Sequence, residues 1–357
     1  MNKYVKRYLI DAMSGMAQGL FASLLIGTII KTLGQQLIRL GTNPVFEFLV
    51  TAGNFATDPH VVGAAMAVGI GFAMHLPALV LFSLVAVGSA ANVTGGAGGP
   101  LAVLFIAIIA AELGNLVSKK TKVDIIVTPA VTILSGALLT VITAKYIGMA
   151  ASSLGNLIVW ATTLRPFIMG ILISTIVGVA LTLPISSAAI CAALGLTGLA
   201  GGAAVAGCCA QMVGFAVLSF RENRWGGLLS QGLGTSMLQM PNIIKNPRVW
   251  IAPTLAGIIT GPISTCLFKM EMNGAAVSSG MGTCGLVGQI GVITGWFNPS
   301  EVAVAHGAQA ISPGAADWLG LLLVCFVLPA VLTYAFGLLF RKIGWIKEGD
   351  LTLGDSL

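Results

Sequence analysis

Charge is what this chain has least of. Only 8% of its 357 residues are charged, against roughly a quarter in soluble globular domains, which excludes a water-facing surface over most of the molecule. Histidine is scarce too. His60, His75 and His306 are the only three, with no HExxH and no pair at metal-ligand spacing, so no metal is expected. The six cysteines (Cys191, Cys208, Cys209, Cys266, Cys284 and Cys325) form no CxxC and read as small buried hydrophobes. No nucleophile–base–acid set is present, so neither catalytic residues nor a cofactor are expected. The net charge of +6 sits in short loops, which makes it a topology signal rather than a nucleic-acid footprint.

Apolar length fills the space that charge leaves. Hydrophobic residues make up 56% of the chain and the mean hydropathy is +0.96. A bilayer core about 30 Å thick takes around 20 apolar residues per helix, which predicts an all-α polytopic membrane protein of about ten transmembrane helices. Clear segments are 16–33, 101–117, 125–147, 167–183, 249–268 and 319–340. Residues 61–93 are long enough for two passes, with the break expected at His75–Pro77. Residues 154–163 and 188–220 are apolar but interrupted. The 46 glycines suit closely packed membrane helices. Residues 1–15 are basic and amphipathic, and the apolar run that follows is too long for the core of a signal peptide, so no cleaved leader is expected.

Basic clusters fall at Lys3/Lys6/Arg7, Lys119/Lys120/Lys122, Arg221/Arg224, Lys245/Arg248 and Arg341/Lys342/Lys347. If all are cytoplasmic, both termini are inside and the number of crossings is even. The stretch 225–244, WGGLLSQGLGTSMLQMPNII, then lies between two clusters on one side of the membrane. It is too polar to face lipid and reads as a re-entrant hairpin, or else as a loop lying on the cytoplasmic surface. A second interrupted stretch, 274–295, is rich in glycine. PISS at 184–187 followed by GAAV at 202–205 echoes PIST at 262–265 followed by GAAV at 274–277. Such paired breaks mark the binding site in repeat-built transporters, unless composition alone makes the echo.

The polar side chains in these broken segments are the expected substrate-binding set: Ser186, Ser187, Gln211, Gln231, Ser236, Gln239, Asn242, Thr283 and Gln289. Amides and hydroxyls both donate and accept, which suits hydroxyl-rich solutes; the alternative is helix–helix hydrogen bonding. His75, an ionisable group within a predicted span, is a secondary candidate, although a structural histidine beside a proline kink reads equally well. Asn246 is another. Arg165 marks a membrane boundary or an anion contact. GMGTCG at 280–285 matches GxGxxG, but its flanks are membrane-type helices and not the strand and βαβ unit that nucleotide binding requires.

GTSMLQMPNIIKNPRVWIAPTLAG, at 234–257, resembles the signature of enzyme IIC membrane subunits of the bacterial sugar phosphotransferase system. ELGNLVSKKTKVDIIVTP at 112–129 is similar to their charged turn and helix entry. TLPISSAAI (182–190), residues 226–247 and SSGMGTCGLVGQ (278–289) look most like the PfoR-type branch. The resemblance implies a homodimer in the cytoplasmic membrane, with an interface domain and a mobile substrate domain holding two re-entrant hairpins. It also implies elevator-type transport of a sugar-like solute and a separate cytoplasmic IIB phosphoryl donor. The corresponding division is 1–15, 16–165 (interface), 166–340 (substrate) and a cytoplasmic tail, 341–357. The family's sugar-binding glutamate falls near Gln239 here, and its histidine has no counterpart in 167–220. Glutamine binds a hydroxyl but cannot act as a general base. A membrane sensor that binds a similar ligand, or an ion-coupled transporter, remain as alternatives.

Overall fold

The computed structural model describes residues 4, 6–39, 41 and 43–353. Lys3 of the first basic cluster and the last four residues of the tail lie outside them. Among the described residues there is no strand, only one antiparallel bridge between Gly198 and Met272. The chain is a helical membrane protein. Among the described residues six helices are long and apolar enough to cross a bilayer, seven if a bent pair counts as one span, against the ten expected. The chain divides into two compact units, residues 1–151 and 152–357.

In the first unit, α1 (Lys6–Ile38) is one helical run, so residues 6–15 are not a separate segment. It is followed by α2 (Pro44–Ala56) and α3 (Pro59–Ala73), a pair bent by 56°. Each starts on a proline behind a side-chain cap: Asn43 accepts from Val45 N, and Asp58 from His60 N. α4 (Ala78–Gly95) begins after Pro77, so the break at His75–Pro77 falls where the sequence places it. His75 itself is exposed in that turn, in the left-handed region at φ 55°.

α4 and α5 (Gly99–Val117) form one continuous apolar stretch, Ala78–Val117. Gly96, at φ 51°, reverses the chain between them, and a Cβ at Gly114 would lie 3.3 Å from Val80 Cγ1 at the far ends of the two legs. They are therefore antiparallel. A count by hydropathy misses such a reversal because glycine keeps the sequence apolar through the turn. α6 (Asp124–Thr162) follows and carries the unit boundary. Arg7 donates to Glu112 at 2.8 Å, which puts the start of α1 at the same end of the unit as the 119–122 lysines. The outer faces are strongly apolar, with Val141 78% and Ile125 74% exposed, as a lipid-facing perimeter requires.

In the second unit, α7 (Pro166–Thr182) and α9 (Gly198–Leu218) run parallel, with Ser174 against Gly207 and Thr182 bonded to Gln211. A Cβ at Gly207 would collide with the Ser174 carbonyl, so glycine sets the spacing of the pair. Because they are parallel, residues 183–197 must carry the chain back the length of α7, which they do around the short α8 (Ser187–Ala193). α12 (Pro247–Leu267) is antiparallel to both: Ser174 Oγ donates to the Gly257 carbonyl at 2.8 Å, and Thr265 Oγ1 to the Pro166 carbonyl at 2.8 Å. α15 (Ala315–Lys342) runs beside α9, and Arg341 reaches the Leu218 carbonyl and pairs with Glu222 at 2.7 Å.

The stretch 225–244 does turn back on itself. α10 (Phe220–Leu229) leads through wider turns to Thr235, which is extended at φ −159°, and α11 (Met240–Lys245) returns. The second interrupted stretch descends from Met272, turns at Gly282–Leu286 and returns as α13 (Val287–Phe297). Gly282, Gly285 and Leu286 all adopt positive φ at that tip, where Gly282 packs against the Cys208–Cys209 backbone. The proposed echo has no structural counterpart. PIS at 184–186 is a non-helical break that ends where Ser187 opens α8, whereas PIST at 262–265 continues α12 as helix. Shared small residues gave the two segments similar letters, but their neighbours set different conformations.

Candidate functional site

A backbone clamp builds a cavity in the second unit. Gly198, at φ 65°, exchanges two hydrogen bonds with Met272, N to O at 3.1 Å and O from N at 3.0 Å. The Gly198 N–H also reaches Asn273 Oδ1 at 3.2 Å. The clamp brings Thr197, Glu271 and Asn273 to one rim, although they come from segments far apart in the chain. Asn273 Nδ2 then donates to Glu271 Oε2 at 2.8 Å, fixing the carboxylate. The short α14 (Glu301–Ala305), capped by Ser300, delivers His306, whose Nδ1 lies 3.2 Å from Thr197 Oγ1.

These four polar residues line a cavity of about 500 Å³, with Ile158, Met169 and Leu194 among its apolar walls. Its size is that of a small-molecule site, and a few convergent polar groups on apolar walls are the usual composition of one. Glu271 and His306 are exposed, so one carboxylate oxygen and the second ring nitrogen remain open to a ligand. A carboxylate accepts from hydroxyls and an imidazole can donate or accept, the complement of a polyhydroxylated solute. A smaller cavity of about 250 Å³ lies on the other side of Glu271 and Asn273, and Lys269, Trp296 and Asp317 face it. No group of three or more His, Cys, Asp or Glu side chains that could hold a metal occurs among the described residues.

None of the residues singled out in the sequence lines the larger cavity; they fall into three buried groups. In the first, Gln211 joins Thr182, Ser236, Thr254 and Trp250: Thr182 Oγ1 bonds Ser236 Oγ at 2.7 Å, and Trp250 Nε1 donates to Gln211 Oε1 at 2.9 Å. In the second, Gln239 Nε2 donates to Gln231 Oε1 at 2.9 Å and Asn242 Nδ2 to Gln239 Oε1 at 2.8 Å. In the third, Ser186 caps α8, Ser187 Oγ donates to the Gly280 carbonyl at 2.7 Å, and Thr283 reaches Met212 Sδ at 3.6 Å. Gln289 completes it beside Cys209, or turned over to bond the Leu286 and Gly282 carbonyls. His75 is in the first unit and belongs to none of them.

The second group has a partner that sequence reasoning missed. Residues 345–353 of the tail fold back over the hairpin. The Leu351 carbonyl accepts from Asn223 Nδ2 at 2.8 Å and Gln239 Nε2 at 3.0 Å, and the Thr352 carbonyl from Asn242 Nδ2 at 2.9 Å. Asn246 Nδ2 donates to the Trp345 carbonyl and to Asp350 Oδ2. Ile346 and Leu351 are buried beneath. The described part of the tail is therefore docked on the hairpin. The signal available in the sequence was its alternation of apolar Ile346, Leu351 and Leu353 with polar residues.

The family described as Phosphotransferase system, EIIC matches residues 10–353. No curated protein and no solved structure matches the chain.

Proposed function

The chain belongs to the phosphotransferase system EIIC family, and we propose that it carries a sugar or related polyol across the cytoplasmic membrane, with the Glu271–His306 cavity as its outward-facing binding site. Family membership makes a sugar-specific membrane permease role the starting point. The observation that carries the site is the meeting of Glu271, Asn273, His306 and Thr197 around about 500 Å³. The resemblance led to a glutamate and a histidine sought near Gln239 and within 167–220, and neither is there. Glu271 and His306 supply the same two chemistries from other segments.

The side of the membrane follows from charge. In the second unit, Arg221, Arg224, Lys245, Arg248 and Arg341 gather at the end where α9 finishes and α12 begins, and the cavity lies at the opposite end. The positive-inside rule makes the basic end cytoplasmic, together with both termini. The turns at 225–244 and 274–297 then enter from opposite faces as re-entrant hairpins. Two such hairpins in one unit support an elevator motion of that unit in a homodimer, with a separate IIB protein as phosphoryl donor. The ion-coupled reading would need a cluster of carboxylates, and no group of three or more His, Cys, Asp or Glu that could hold an ion occurs among the described residues.

The test is a ligand-dependent thermal shift of the purified protein across sugars, polyols and sugar acids. A ligand at 100 times its Kd adds roughly 2.7 kcal/mol of stability. A hit lost in His306→Ala supports the site. A folded sample that responds to no sugar or polyol overturns the substrate class.

A further inference from the structure

We propose that the arginine-bearing end of the second unit is a binding site for an anionic phospholipid with a hydroxylated headgroup, such as phosphatidylglycerol. Two cavities of opposite character meet there and share both Arg221 and Arg341. One, of about 210 Å³, is an apolar slot between the ends of α9, α10 and α15, walled by Leu218, Phe220, Leu228 and Leu338. The other, of about 380 Å³, is polar and is walled by Glu222, Glu348, Gly349 and Thr352. An apolar slot and a polar chamber joined at two guanidinium groups are the negative image of an acyl chain, a phosphate and a hydroxylated head.

The charges are not equivalent. Arg341 is already committed to Glu222 and the Leu218 carbonyl. Arg221 is exposed and forms no side-chain hydrogen bond or ion pair among the described residues, which leaves a guanidinium fork free for phosphate oxygens. Glu222 has a side chain only 5% exposed, yet its Oε2 has no hydrogen-bond partner, so it is short of a donor of the kind a headgroup hydroxyl supplies. Trp225 is 68% exposed and packs edge-on to Phe220 at 5.4 Å, as an aromatic at the membrane–water boundary does. Basic pockets between helix ends on the cytoplasmic side are where anionic headgroups bind. A free sugar phosphate would use the polar chamber but leave the slot empty. The site depends on the orientation inferred above, with this end at the cytoplasmic leaflet, but not on the chain's substrate.

Native mass spectrometry of the whole purified protein, given equimolar phosphatidylglycerol and phosphatidylcholine of matched acyl chains, tests the proposal. The expected result is preferential retention of phosphatidylglycerol. Arg221→Gln should lower it about fivefold, the equivalent of the ~1 kcal/mol attached to one basic residue at an anionic surface. Leu338→Trp, which fills the slot at a half-exposed position and changes no charge, should lower retention comparably. Lys120→Gln, on a different basic loop, should not. Equal retention of the two lipids overturns the proposal. So does an equal loss in Lys120→Gln, which would mean diffuse attraction, or displacement by inorganic phosphate alone, which would mean an anion site without a lipid chain.

Discussion

Substituting Glu271 and Gln239 should produce opposite phenotypes, and the structure sets the size of each. Glu271 is exposed and its only described hydrogen bond is from Asn273 Nδ2, at 2.8 Å. Asn273 is itself buried, so Glu271→Ala leaves its amide short of one acceptor, and folding stability should fall by about 1–3 kcal/mol. A hydrogen bond from a ligand hydroxyl to a carboxylate contributes roughly 1.5–3 kcal/mol, so the same change should weaken sugar binding by roughly 10- to 150-fold. Glu271→Gln keeps an acceptor without the charge and should fall between. Gln239 is fully buried and holds Gln231, Asn242 and the Leu351 carbonyl together. Gln239→Ala removes three bonds and leaves Gln231 Oε1 with no described partner, at a cost of roughly 2–5 kcal/mol. Its thermal midpoint should drop while the affinity of the surviving folded fraction stays within about twofold of the parent. Isothermal titration with the best ligand, paired with thermal unfolding in the same detergent, reads both quantities. Unchanged affinity in Glu271→Ala would refute the cavity as the site. Lost affinity with an unchanged midpoint in Gln239→Ala would return the site to the amide cluster.

Three further outcomes are expected. Gly207→Ala should destabilise by about 1–3 kcal/mol, because its methyl meets the Ser174 carbonyl between α7 and α9; a denaturant midpoint equal to the parent's would refute that contact. Leu351→Ala, at a side chain with no exposure, should cost about 2–5 kcal/mol and speed tryptic cleavage at Lys347, and no change in cleavage would argue against a docked tail. Cys266 is exposed near the end of α12, whereas the other five cysteines are buried. A membrane-impermeant maleimide should therefore label intact cells at that residue and no other, and labelling confined to inside-out vesicles would reverse the orientation.

The helices were readable because lipid-facing and packed positions are both apolar, and the break at His75–Pro77 was readable because proline cannot continue the backbone ladder. The turn at 225–244 could be inferred from charge on both sides of a polar stretch. The cavity could not. Thr197, Glu271, Asn273 and His306 sit in short connections with unremarkable neighbours, and only the pairing of Gly198 with Met272 brings three of them to one rim. The buried amides drew attention for a sound reason, since polar groups at membrane depth must have partners. Those partners turned out to be neighbouring side chains and carbonyls of the same unit, the tail's among them. The signal that was available was negative: Glu271 and His306 lie in the connections remote from every basic cluster.

The docked tail also bears on synthesis. Gln239 and its tail partner are 112 residues apart, and Asn242 and its partner 110. At roughly 5–20 residues per second, on the order of ten seconds separates the making of the hairpin from the making of the segment that closes it. Throughout that interval the amides of Gln239 and Asn242 must bond to water or to one another, until the Leu351 and Thr352 carbonyls arrive to complete the turn. Removing residues 345–353 would leave every candidate span in place and the hairpin open, so a rigid insertion within that stretch should also leave the hairpin unclosed.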